Sequence, residues 1–229
     1  MSSHDGARER LKERFWRGGL DGFPDVHVLE LLLTFAIPRR ETNTIAHALL
    51  EHFGSLSAVF EASREELEQV KGVGENAAAL IKLIPAMDRR YHISRAGEVQ
   101  KIMSSDDAGR LLIPRYRHAR EEIVYLITLD GKRELIACEE IGRGTLDEAH
   151  VSIRTIAETA LRRNAASVIL SHNHVDGIAL PSRADAQTTE TIRQALRYVG
   201  ITLSDHIIVA GDDYVSFADS GLLGMPFTG

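Results

Sequence analysis

Two histidines separated by one residue, His172 and His174, are the side chains of this sequence best placed to do chemistry. They follow an apolar run, 166–170, that has the composition of a buried β-strand. In extended backbone, residues two apart point to the same side, so both imidazoles face one point. Asp185 adds a carboxylate from the helix predicted to follow. Two histidines, an aspartate and one open position form the ligand set of a catalytic zinc rather than a structural one.

The same residues also have ordinary structural interpretations. Ser182 and Asp185 have the spacing of a capping box, in which both side chains bond amides at the start of their own helix. That role competes with a metal for the oxygens of Asp185; we favour the metal for Asp185, while Ser182 can serve both roles. Asp205 and His206 form either a pair behind the metal ligands or, as we favour, a site where a core histidine bonds to the backbone.

The second half of the sequence contains the elements that must position these side chains. Strands are predicted at 122–130, 134–141, 167–172, 201–210 and 214–217, and helices at 152–164 and 182–199. Gly131 and Lys132 form the hairpin turn between the first two strands, and Gly200 returns the last helix to the sheet. Strands that alternate with helices predict an α/β sandwich with a mixed sheet.

The first hundred residues are predicted to be helical throughout. Helices are expected at 7–17, 26–36 and 41–52, two more begin at Ser55 and Ser63, and a last one runs to Tyr91. Asp25 is expected to cap the second helix, and Ser63 with Glu66 has the form of a capping box. Residues 92–104 lose the periodicity and are interpreted as a linker. We therefore place a domain boundary near residue 100, between domains 1–100 and 101–229.

The N-terminal half ends in a Gly72-Val73-Gly74 hairpin between two helices. This resembles a helix-hairpin-helix motif, whose hairpin amides contact a nucleic-acid phosphate in its known settings. Two glycines around an apolar residue also simply make a tight turn between helices. DNA contact through Gly72, Val73 and Gly74 is therefore one of two interpretations.

Composition and charge limit the classes of protein to consider. The 229 residues are 44% hydrophobic and 26% charged, as in an ordinary globular protein of two domains. Residues 1–100 carry 13 Lys and Arg against 15 Asp and Glu, and the remainder 14 against 18, so neither half is basic. Any nucleic-acid binding would have to be local and modest.

The single cysteine and the lengths of the apolar runs indicate the cellular compartment of the protein. Cys138 alone excludes an internal disulfide, is expected to be buried packing, and favours a reducing cytoplasm. The longest apolar run, 29–37, is interrupted by Glu30 and is much shorter than the roughly 20 residues of a membrane helix. The N-terminus lacks the apolar core of a signal peptide. We expect a soluble, cytoplasmic protein.

The motif around the histidines resembles a known metalloprotease domain. His172-x-His174, seven residues, Ser182, two residues and Asp185 match the ligand pattern of the JAB/MPN (JAMM) domain. The surrounding sequence narrows the resemblance to the bacterial RadC family over nearly the whole chain, from about residue 8 to 223. It is carried by Gly54-Ser55-Leu56, Gly72-Val73-Gly74, Asn164-Ala165-Ala166, Ser171 to His174, Pro181 to Asp185, and Asp205 to Val209.

The resemblance implies a cytidine deaminase-like α/β fold with one zinc per chain, held by His172, His174 and Asp185 with a water. It also implies a glutamate at the start of an upstream strand, for which Glu122 is the matching position and Glu121 the alternative one residue away. A carboxylate there takes the proton of the attacking water, and Ser182 donates to the oxyanion. The other interpretation of Glu122 is an ordinary solvent-facing strand residue.

Two hypotheses of different classes follow. The first is a zinc-dependent hydrolase of peptide or isopeptide bonds, acting on a peptide or protein substrate. The alternative is a DNA-binding protein of repair or recombination that keeps the zinc domain as a scaffold. A nucleobase deaminase is disfavoured because its His-x-Glu and Pro-Cys-x-x-Cys runs are missing from the sequence. The chain departs from its family at Val175-Asp176-Gly177, where RadC-like sequences usually read Pro-Ser-Gly, which affects substrate handling more than metal binding.

Overall fold

The chain divides into two compact units, Met1–Asp88 and Arg89–Gly229. The computed structural model describes residues 3–38, 41–97, 99–144, 152–175 and 177–224, with only the backbone for 3–5. The division falls earlier than residue 100 and lies within a helix that continues to Arg95. Residues 100–102, interpreted from sequence as linker, bond to the second unit, since Leu135 N donates to the Gln100 carbonyl at 2.8 Å.

The first unit is helical, as predicted. Its helices are α1 (Ser3–Gly18), α2 (Asp25–Ala36), α3 (Thr42–Phe53), α4 (Leu56–Glu61), α5 (Arg64–Gln69) and the beginning of α6 (Glu75–Arg95). The capping box of Ser63 and Glu66 is confirmed, and Ser55 caps α4 through the Ala58 amide. The prediction for Asp25 is wrong: Pro24 occupies the N-cap position without a side-chain bond. Proline fixes the φ that starts this helix, so Asp25 becomes its first residue.

The second unit contains a five-stranded mixed sheet covered by helices. Its elements are α7 (Ser105–Tyr116), β1 (Ile123–Leu129), β2 (Leu135–Arg143), α8 (Ile153–Arg162), β3 (Ser167–Asn173), α9 (Arg183–Tyr198), β4 (Thr202–Ala210) and β5 (Asp213–Ser216). The strand order is β2-β1-β3-β4-β5. Among the strands in the described residues, only the β3–β4 pair is parallel, so the predicted α/β architecture with a mixed sheet is confirmed.

Alternation along β1 and β3 separates two apolar layers on opposite faces of the sheet. Val124, Leu126, Val168 and Leu170 pack with α8 and α9, whose inner faces include Ile156 and Ile192. The odd-numbered residues of the same strands, among them Tyr125, Ile127 and Ile169, pack with α7 on the other side. The even-numbered positions therefore face α8 and α9, and these include His172.

Helix α7 is missing from the elements that the sequence predicts. Gly109 and Pro114 lie within it, and both residues weaken a helical pattern. The structure gives a reason for the glycine, because a Cβ there would lie 2.8 Å from Cε1 of Tyr214. Ser104 begins the helix with a capping box to Asp107. The sheet is consequently covered on both faces.

Candidate metal centre

The end of β3 carries both histidines on the face that α8 and α9 cover. His172 is within the strand, and the His174 amide donates to the Val209 carbonyl at 2.9 Å, which continues the strand pairing one residue beyond β3. Extended backbone through both residues turns both rings to one side, as predicted. His172 is almost fully buried, with 1% of its side chain exposed, while His174 has 20% exposed. One ring thus lies in the core and the other at the surface.

Asp185 reaches the histidines from the first turn of α9. Its Oδ1 lies 3.2 Å from Nε2 of His172, and its Oδ2 lies 3.6 Å from Nε2 of His174. The two Nε2 atoms are 3.1 Å apart. These three residues form a group whose ligand atoms lie within 4.8 Å of one another, a spacing that could hold a metal ion. The structure therefore brings together the three residues that the sequence selects as ligands; that they bind zinc stays a prediction.

Ser182 holds Asp185 in this position. The Ser182 amide and hydroxyl both donate to Oδ2 of Asp185, at 2.8 and 2.6 Å, and the Asp185 amide donates back to the hydroxyl at 3.1 Å. The capping box is thus formed in full, and it leaves Oδ1 of Asp185 turned towards His172. The hydroxyl proton of Ser182 is directed at the carboxylate. Its predicted donation to an oxyanion would require the hydroxyl to rotate, and that role stays a prediction.

The ring of His174 is oriented by its own loop. Its Nδ1 lies 3.0 Å from the Ile178 carbonyl. A carbonyl oxygen can only accept, so Nδ1 of His174 carries the proton. In the neutral ring Nε2 of His174 is then a lone pair, and it is this atom that faces Asp185 and His172.

The ring of His172 is oriented by a chain of buried side chains that begins at a backbone carbonyl. Thr189 Oγ1 donates to the Asp185 carbonyl at 2.5 Å, so the same oxygen must accept from Nδ1 of His206 at 2.6 Å. A neutral His206 with its proton on Nδ1 has an acceptor at Nε2, which lies 2.9 Å from Nδ1 of His172. Nδ1 of His172 must therefore donate, and in the neutral ring its Nε2 is a lone pair.

His206 stays neutral in this arrangement. Burial and the neighbouring His172 lower the pKa of His206 well below its ordinary value. The ring is fully buried and stacks on Phe217, with centroids 4.8 Å apart and planes inclined by 22°. Its contacts with His172 and Thr189 show that our preferred interpretation, a bond to the backbone, is wrong. Asp205 does not bond the ring, because it accepts from Ser216, Ala218 and the His206 amide.

The carboxyl of Asp185 is ionised at neutral pH. Burial works to raise the pKa of Asp185, but the hydrogen bond and positive charge of His172 when its Nε2 carries a proton, together with the bonds from Ser182, hold that pKa well below its usual range. Without that proton, two imidazole lone pairs and a carboxylate converge within 3.1–3.6 Å. Such atoms repel one another unless a positive charge, from a proton or a metal ion, lies between them. Two nitrogens and a carboxylate oxygen suit zinc.

Glu122 falls on the face of the histidines if the β1–β3 register is extended beyond its last pair. Val124 pairs with His172 at the end of the β1–β3 ladder, and the same register continued for two residues would bring Glu122 opposite His174. Glu121 points to the other face, where Arg143 Nη1 donates to its carboxylate at 2.7 Å. The register therefore favours Glu122 over Glu121, and the catalytic role of Glu122 stays a prediction.

Asn173 fixes the start of β1 on either side of Glu122. Its Oδ1 accepts from the Ile123 amide at 2.7 Å, and its Nδ2 donates to the Glu121 carbonyl at 3.2 Å. Asn173 is the residue between the two histidines, and it points to the face opposite theirs. A single strand end thus positions both rings and the backbone that carries Glu122.

Sequence reasoning missed the contribution of Thr189 and Asn173. A four-residue spacing places Thr189 on the same face of α9 as Asp185, one turn further, which is a signal that could have been used.

The departure from the family at residues 175–177 is described in part: Val175 is exposed, Gly177 has a φ of 82°, and Asp176 lies outside the described residues. Cys138, expected to be buried, is partly buried and packs against the α7 layer, and burial raises the pKa of its thiol to about 11.

The hairpin predicted between two helices of the first unit is present. It joins α5 to α6, with Gly72 at a φ of 99° and Val73 buried. A Cβ at Gly72 would lie 2.9 Å from the Ile45 side chain, so packing accounts for this glycine. Contact of Gly72, Val73 and Gly74 with DNA stays a prediction, whose test is salt-dependent binding that weakens when the hairpin is changed.

Comparisons with known proteins match both parts of the chain to described families. Residues 102–222 match a family model described as a RadC-like JAB domain, and residues 5–79 match a UPF0758 N-terminal domain. A UPF0758 protein of Fusobacterium nucleatum is 37% identical over 97% of this chain and all of its own length. One from Ruegeria pomeroyi is 39% identical over 94% of this chain and 96% of its own length. In the described part of the chain, no helix is long and apolar enough to cross a membrane.

Proposed function

The chain belongs to the family that joins a UPF0758 N-terminal domain to a RadC-like JAB domain, and we propose that it is a zinc-dependent hydrolase of peptide or isopeptide bonds. One observation carries the proposal. In the neutral rings of His172 and His174, the hydrogen bonds at Nδ1 leave both Nε2 lone pairs facing the Asp185 carboxylate. An arrangement of three unprotonated donors is what a divalent cation requires and what a purely structural histidine pair avoids.

The bound ion would supply a water whose pKa is lowered towards ~7 and would polarise the amide carbonyl. Glu122 would accept the proton of that water, an assignment supported by the β1–β3 register, which would bring Glu122 opposite His174 if it continued two residues beyond the last pair. Ser182 would keep Asp185 ionised and oriented through its two bonds to Oδ2. Water reaches this edge, since a fifth of the His174 side chain is exposed.

The loop after the histidines supports a peptide substrate. Val175, Ile178 and Leu180 have exposed fractions of 47, 67 and 68%, and Ile178 is the residue whose carbonyl accepts from His174. These side chains give the open edge of the group an apolar border. Apolar side chains of a peptide would bury this surface on binding.

Metal analysis of the protein purified without chelators tests the proposal directly. We expect about one zinc per chain in the wild type and in His47→Ala, a control on an exposed histidine of the first unit, and less than a tenth of that in His174→Ala. A wild type without metal contradicts the proposal.

Hydrolysis is tested with fluorogenic peptides and with lysine isopeptides. Glu122→Gln should keep the metal and lose about 10²- to 10⁴-fold in rate, because the acceptor of the water proton is gone. Glu121→Gln removes the same charge one residue away, on the opposite face of the sheet, and should keep most of the activity. Equal rates for the two variants would remove Glu122 from the mechanism.

A further inference from the structure

A pocket in the second unit, separate from the metal centre, is lined by a concentration of positive charge. It measures about 560 Å³, and its lining includes five arginines, one histidine and a single carboxylate. The arginines are Arg89, Arg115, Arg117, Arg120 and Arg143. The chain as a whole carries a net charge of −6, so this surface has the opposite sign.

Some of this charge is already matched inside the protein. Arg143 donates to Glu140 through Nε and Nη2 and to Glu121 through Nη1, so two carboxylates neutralise it. Arg117 donates to the exposed carboxylate of Asp212 at 3.1 Å. These contacts do not neutralise the charges of Arg89 and Arg115.

Arg89 and Arg115 are half-buried and donate to neutral acceptors. Arg89 Nε donates to the Arg115 carbonyl at 2.8 Å and its Nη2 to the Tyr125 hydroxyl at 2.9 Å. Arg115 Nη1 donates to the Leu111 carbonyl. Burial raises the pKa of Tyr125, so its hydroxyl remains a neutral phenol. Hydrogen bonds of this kind orient a guanidinium without cancelling its charge, and two like charges are held on neighbouring helices.

We propose that this pocket binds the phosphate groups of a nucleotide or of a nucleic-acid strand. Guanidinium forks match phosphate oxygens in pairs, and two or more negative charges on one ligand would offset both Arg89 and Arg115. Arg120 also lines the pocket and is exposed at its rim. The volume falls within the roughly 300–1,000 Å³ of small-ligand pockets.

The pocket does not share a face with the metal ligands. Glu121 and Ile123, which line it, are odd-numbered residues that point towards α7, whereas the histidines point towards α8 and α9. Binding here is therefore independent of metal, and His174→Ala should bind phosphate as the wild type does.

Fluorescence titration with a labelled ATP and with a labelled 12-nucleotide single strand tests the proposal on the full chain. Arg115→Gln should raise the Kd about tenfold, the loss expected for one charge-assisted contact. Arg154→Gln is the matched control: it removes the same charge from the exposed face of α8, outside the pocket. Arg120→Gln at the rim should raise the Kd about threefold, and it carries the test if Arg115→Gln does not fold.

Competition separates the two sources of phosphate. Displacement of the strand by pyrophosphate at a similar concentration indicates a small phosphate ligand, and displacement only by longer strands indicates a nucleic acid; either result supports the pocket. The proposal is overturned if neither probe binds, if Arg154→Gln weakens binding as much as Arg115→Gln, or if an acidic peptide displaces the probes more strongly than pyrophosphate.

Discussion

Replacing Thr189 by valine should weaken zinc binding although Thr189 is not a ligand. The change keeps the shape and β-branching of the side chain and removes the hydroxyl between the Asp185 carbonyl and Nδ1 of His206. Without that acceptor, no hydrogen bond from Thr189 favours the tautomer of His206 that has its proton on Nδ1. In the opposite tautomer, Nε2 of His206 donates to His172, whose remaining proton then moves to Nε2. That proton occupies the lone pair that a metal needs.

The size of the effect follows from the hydrogen bonds involved. In either tautomer one nitrogen of a fully buried ring is left without a partner, so the two forms of His206 come close in free energy. Loss of a bond that orients a metal-ligating histidine typically reduces metal affinity about 10- to 100-fold. We expect at least tenfold here, which corresponds to about 1.4 kcal/mol.

Zinc affinity is best measured by competition with a chromogenic chelator, beside thermal unfolding of the metal-free protein. Thr191→Val is a close control, because Thr191 also lies on α9 and donates to the carbonyl four residues earlier, at 2.9 Å from Gln187. Thr191 is exposed and belongs to the same helix. Equal zinc affinity for Thr189→Val and Thr191→Val would refute the tautomer argument, while a loss confined to Thr189→Val would support it.

Three further results are expected. Cys138 should react with a thiol reagent at pH 8 about a hundredfold more slowly than a free cysteine, because burial raises its pKa to about 11. The stability that comes from keeping this thiol protonated is complete below about pH 9 and is lost as pH rises towards 11, which pH-dependent unfolding would detect. Tyr116→Phe should cost about 1–2 kcal/mol in urea unfolding, since it removes the buried 2.8 Å bond to Ser171. Gly72→Ala should destabilise the first unit by about 1–3 kcal/mol in thermal unfolding, because its positive φ and close packing exclude a methyl group, whereas Gly74→Ala, with open space, should cost less than about 1 kcal/mol.

The grouping of His172, His174 and Asp185 could be predicted from sequence because only local rules position these side chains. Alternation along β3 puts His172 and His174 on one face, and a helix beginning at Ser182 turns Asp185 towards them. Each rule spans a few residues, and strand and helix signals were strong on both sides. The mixed sheet followed for the same reason.

The position of His206 behind His172 depends on longer-range features of the fold, which local sequence patterns do not contain. A register shift in the β3–β4 pairing inserts one residue before Asp205, so His206 rather than Asp205 pairs with Leu170. This irregularity puts the His206 ring on the histidine face, next to His172. No periodicity in the sequence reveals such a shift. The arginine pocket could not be predicted from sequence either, because its residues come from α6, α7, the segment before β1 and the end of β2.

Asn173 has a consequence for motion in the second unit. Its side chain holds the Ile123 amide and the Glu121 carbonyl, so the start of β1 cannot separate from β3 without breaking both bonds. Local opening at this corner would therefore release Glu122 and the strand end between the histidines in one event. Amide hydrogen exchange would report it as a common opening free energy for Ile123 and His174, two residues on different strands. In Asn173→Ala the two amides should exchange separately and faster, so Glu122 and the two histidines would no longer stay in register during opening.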